Sequence, residues 1–114
     1  MHITPENMEA SYRLLLTALP FRNWRMPHPD DVEFIVSLHR DRRAHHCAYK
    51  DGIRHEISVS AREVQSLQLL TETMAHEMIH IRQDQLGLRD HHGKSYQRMA
   101  KLVCRRNGFD LATF

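Results

Sequence analysis

Met8, Tyr12, Leu15, Leu16 and Leu19 recur at helical spacing and form one apolar stripe that Pro20 ends. Thr4 is a good N-cap for this helix, and Pro5 is tolerated at its first position. From Phe21 to Asp31, with Pro27 and Pro29, the chain reads as an irregular connection. Val32 to Leu38 is β-branched and mostly apolar, which predicts a strand. Two more short strands are predicted around Lys50-Asp51-Gly52, because Asp-Gly favours a hairpin turn. In the second, Ile53, Ile57 and Val59 share one face; His55 falls on it too, as a packed, hydrogen-bonded core residue.

Ser60-Ala61-Arg62-Glu63 has the capping-box pattern, predicting a helical region that runs to Leu86 and stops at Gly87. Leu67, Leu70, Met74, Met78 and Ile81 lie on one arc of it. A last helix is predicted over roughly Lys94 to Arg106, with Tyr96, Met99, Ala100 and Val103 as its apolar side and Asn107-Gly108 as its end. The pattern therefore predicts an α+β fold: an N-terminal helix, about three short strands with a hairpin, a long helix and a closing helix. The expected layout is one domain over 1–114, divided into 1–31, 32–60, 61–87 and 88–114. Strand order does not follow from the pattern. The last hairpin strand is expected at a sheet edge, where an extended peptide could pair with it.

Composition narrows this picture. A chain of 114 residues is long enough for one core and too short for two. No stretch approaches the roughly 18 apolar residues of a membrane span, and the first residues lack a secretory pattern, so a cytoplasmic location is expected. Cys47 and Cys104 are too few for a disulfide scaffold and are expected to be buried structural residues. The net charge of +2 does not announce a nucleic-acid protein. The 10 histidines, by contrast, raise the expectation of metal chemistry.

The chemistry concentrates at His76-Glu77-Met78-Ile79-His80. Helix positions four apart share a face, so His76 and His80 can address one ion. Glu77 sits about 100° further round the axis, beside the ion, where a base for a metal-activated water belongs. A catalytic zinc site usually has three protein ligands. His91-His92 follows the Gly87 break and is the obvious supplier of the third; His45, His46 and His55 are alternatives, while Glu72 and Asp84 read as supporting or solvated residues.

The pair His76-Glu77-Met78-Ile79-His80 and His92-Gly93-Lys94-Ser95-Tyr96 resembles the SprT-like (Spartan-type) zinc metallopeptidase domain. Glu56-Ile57-Ser58-Val59-Ser60 is similar to the strand that precedes the metal helix in that family. The resemblance runs from about Val32 to Arg106 and implies a zincin-like fold. It further implies Zn2+ held by His76, His80 and His92, with Glu77 as catalytic acid–base and a protein or peptide as substrate. The choice of His92 over His91 comes from the resemblance. Tyr96 takes the family's aromatic position, as a packing residue or as a donor to a developing oxyanion. Many relatives extend into a cysteine zinc ribbon or DNA-binding region; the resemblance here covers the catalytic domain.

Two other readings compete. Arg98, Lys101, Arg105 and Arg106, with Arg40, Arg42 and Arg43, could give a nucleic-acid-associated module weak DNA affinity around a structural or vestigial zinc. The same HExxH chemistry could also hydrolyse an ester or amide other than a peptide.

Overall fold

The computed structural model describes residues 2–114. Three helices, α1 (Pro5–Leu16), α2 (Leu67–Gln85) and α3 (Lys94–Asn107), accompany three strands, β1 (Val32–Ser37), β2 (Ala44–Ala48) and β3 (His55–Ser60). The result is an α+β domain with a mixed sheet in the order β1-β3-β2. β3 runs parallel to β1, with Phe34 beside Ile57, and antiparallel to β2, with His46 beside Ile57.

Thr4 caps α1 as expected, its Oγ1 accepting from the Asn7 amide at 3.0 Å. The hairpin between β2 and β3 turns where Asp-Gly predicts it. Asp51 Oδ1 accepts from the amides of Ile53 and Arg54 at 2.9 and 3.0 Å, and Gly52 takes φ +72°, a conformation other residues resist.

Ile57 and Val59 on β3, Tyr12 and Met8 on α1, and Leu70, Met74, Met78 and Ile81 on α2 are fully buried together. This cluster fixes α2 as the central helix, packed against α1, α3, β2 and β3. Tyr12 donates its hydroxyl to the Pro27 carbonyl at 2.6 Å, and Arg82 on α2 donates to the Trp24 carbonyl at 2.7 Å. These two bonds tie down the irregular connection.

The structure corrects several expectations. α2 begins at Leu67, capped by Ser66, whose Oγ accepts from the Leu69 amide at 3.1 Å. Ser60 instead ends β3: its hydroxyl donates to the His39 carbonyl at 2.6 Å and receives the Arg62 amide, so its capping pattern builds a turn. Leu67, at the helix start, is consequently 63% exposed and off the core arc. Ile53 lies in the turn before β3 and is 62% exposed rather than on the buried face. Cys104 is buried, but Cys47 is exposed. The last hairpin strand, β3, is the centre of the sheet; the edge belongs to β2.

Candidate metal centre

α2 carries His76, Glu77 and His80 over the core. Its C-terminus reverses at Gly87, φ +70°, where the Leu88 amide returns to the Gln83 carbonyl at 2.9 Å. The chain then folds back along the helix and brings His91 and His92 beside it. His91 adopts φ +47°, an uncommon conformation for a non-glycine residue. Its carbonyl faces Gln83 and its ring stacks on that of His80, with centroids 4.5 Å apart. His92, one residue on, puts its Nε2 at 3.3 Å from His76 Nε2, which is itself 3.2 Å from His80 Nε2.

One donor atom each from His76, His80 and His92 therefore lies within 4.8 Å of the others, a group able to hold a metal ion. The outer nitrogens support that role. His80 Nδ1 meets the Gln83 amide oxygen at 2.7 Å, which can only accept, so the proton sits on Nδ1 and the lone pair on Nε2. The Phe114 carbonyl at 3.1 Å does the same for His76 Nδ1, with the Tyr96 hydroxyl 2.7 Å from that nitrogen. Burial, followed by the neighbouring His80, pushes the His76 imidazole down to about 4, and burial also lowers His80. Both rings are thus neutral donors at pH 7. Three imidazoles, two of them held in one tautomer, fit a zinc ion with an open fourth position.

Glu77 is buried, 5% exposed, and its Oε2 stands 3.9 Å from His76 Nε2. Burial raises its carboxyl to about 7, with Arg42 pulling weakly the other way. Two adjoining depressions, of about 250 and 340 Å³, share His76, Glu77 and Ala44 and run between β2 and α2. Arg43, Glu72 and Phe114 line the first, while His45, His46, Asp84 and His91 line the second.

The remaining candidates stay outside this donor group. His46 Nε2 and His55 Nδ1 bond to each other at 2.8 Å, and His55 is a buried core residue as its register implied. His45 faces Glu56. Tyr96 is buried like a packing residue, yet its hydroxyl engages a donor-set histidine, a contact the sequence reading did not foresee. Gln83 was also missed. Besides holding His80, its amide donates to the His91 carbonyl at 2.7 Å and to Ser95 Oγ at 3.0 Å. Its signal was present: it lies three residues after His80, on the same helical face. Asp90 completes the frame by accepting from the Ser95 amide at 2.7 Å and from the Ser95 hydroxyl. Gly93 lets this happen, because a Cβ there would meet Asp90 Cβ and its carbonyl at 2.9 Å.

A family model described as the SprT-like family matches residues 15–113, nearly the whole chain. The chain belongs to the SprT-like family. The match spans both the HExxH helix and the segment from His91 to Tyr96, so the SprT-like domain and its candidate centre coincide. Comparison with curated proteins and with solved structures finds no match. Family membership is compatible with a zincin-like metalloprotease domain. No helix among the described residues is long and apolar enough to cross a membrane.

Proposed function

We propose that the SprT-like domain is a zinc-dependent peptidase whose ion is held by His76, His80 and His92 and whose general acid–base is Glu77. The observation that carries this reading is the convergence of three imidazole nitrogens in an open cleft, with a buried carboxyl beside them. A zinc ion bound there would supply Lewis acidity, lowering the pKa of its water to about 7 and polarising a carbonyl.

The chain's own residues do the rest. Glu77, raised to about 7, is suited to accept a proton from the attacking water near neutral pH and to return it to the leaving amine. Gln83 and the Phe114 carbonyl keep the His80 and His76 lone pairs turned inward. The cleft along β2 has room for an extended chain, and the open edge of that strand can pair with it.

Elemental analysis of purified wild type beside His92→Ala and His91→Ala tests the ligand set. About one zinc at this centre, lost with His92 and kept with His91, is the expected result. Glu77→Gln should then keep its metal and lose metal-dependent peptide hydrolysis. Full hydrolysis by a metal-loaded Glu77→Gln would remove Glu77 from the mechanism. Salt-dependent DNA binding through Arg98, Lys101 and Arg105, without any metal-dependent cleavage, would favour the binding-module reading instead.

A further inference from the structure

Outside the three-histidine group, the β2–β3 ladder carries a second set of donors. His46 pairs with the buried Ile57 and so faces the core side; His45 and Cys47, one position either way, face the opposite side. The register sets Cys47 directly opposite Glu56, with His45 two pairs further along, opposite Ser58. His45 and Cys47 are neighbours along β2, while Cys47 and Glu56 are neighbours across the ladder. Directly opposite positions in an antiparallel pair bring Cβ atoms to about 4.5–5.5 Å.

One donor atom from each of His45, Cys47 and Glu56 lies within 4.8 Å of the other two. His45 Nε2 and Glu56 Oε2 are 3.8 Å apart, too far for a hydrogen bond and close to the separation of two ligands on one ion. Ligands at about 2.0–2.3 Å from a tetrahedral zinc are roughly 3.3–3.8 Å from one another, so small side-chain rotations close the set. Cys47 is a free, exposed thiol, able to ionise on metal binding.

We propose that His45, Cys47 and Glu56 form a second metal site, distinct from the three-histidine centre, that takes a zinc-like divalent ion. A thiolate with an imidazole suits such an ion far better than Mg2+ or Ca2+, which prefer oxygen. The fourth position is left to water.

Cobalt distinguishes the two sites, because only a sulfur ligand gives thiolate-to-cobalt charge-transfer absorption in the near ultraviolet. Reduced, metal-free protein titrated with Co2+ should show that band, saturating at about one ion bound at the sulfur site. Cys47→Ser should abolish the band and lower total uptake by about one ion, and His45→Ala should weaken the band's apparent affinity at least about tenfold. His92→Ala should retain it, so the test stands whatever becomes of the peptidase reading. Added Zn2+ should extinguish the band by displacement. A wild type without the sulfur band would overturn the proposal, as would a band that survives Cys47→Ser or resists excess Zn2+.

Discussion

Glu77→Gln should stabilise the metal-free domain, and by an amount that depends on pH. Glu77 is buried at 5% exposure and its carboxyl is held near 7 against an ordinary 4.5. The folded state therefore keeps a proton that the unfolded chain has already released between those values. Each pH unit in that interval costs the folded state about 1.4 kcal/mol, which amounts to about 3 kcal/mol once the pH exceeds 7. Below about 4.5 the carboxyl is neutral in both states and the penalty vanishes. Glutamine removes the ionisation while keeping the shape. The histidines of the centre are common to both proteins, so to first order their titration cancels in the difference. Urea unfolding in a chelator, repeated from about pH 4.5 to about pH 8.5, measures it. With roughly 1–1.5 kcal/mol per M of urea for a chain this size, the midpoint gap should widen by about 2–3 M across the series. A gap that stays flat with pH would refute the burial argument, and with it the reason for Glu77 titrating near neutrality.

Gln83→Ala should leave the circular dichroism unchanged and weaken zinc binding about 10–100-fold in a competition assay, since it frees the outer nitrogen of His80. Gly93→Ala should also lower zinc occupancy, measured by elemental analysis, because the added Cβ collides with Asp90 and displaces His92. Met78→Ala should lower stability by about 2–5 kcal/mol in chemical denaturation, as a fully buried side chain beneath the metal helix.

The central features were legible because they are local. His76 and His80 share a helical face by spacing alone, and Asp51-Gly52 dictates its own turn. What was misread depended on partners distant in sequence. Ser60 and Ser66 both look like helix caps; the His39 carbonyl takes the first, and only Ser66 is left to start α2. The parallel pairing of β1 with β3 places β2 on the outside, and no periodicity in the strands encodes that order. Cys47 was expected inside because cysteines usually are, yet the register turns it away from the core side. The resemblance named His92, and the fold shows how its neighbour is used differently: His91 lends its carbonyl to Gln83 and its ring to His80.

The bonds that join Gln83, the His91 carbonyl, Ser95 and Asp90 have protein groups at both ends, and the core beneath α2 is closed by apolar side chains. Many small metal-binding domains are chelated into random chains, because in them the ion is the keystone of the fold. Here the keystone is Gln83, a residue of the chain itself, which bonds to His80, to the His91 carbonyl and to Ser95. Loading should therefore order little of the chain, and stripping should be a reversible exchange from a folded protein rather than a collapse. Such a domain can be stored empty and made competent by the supply of metal, so that ion availability, rather than synthesis or refolding, sets how many copies are armed at any moment.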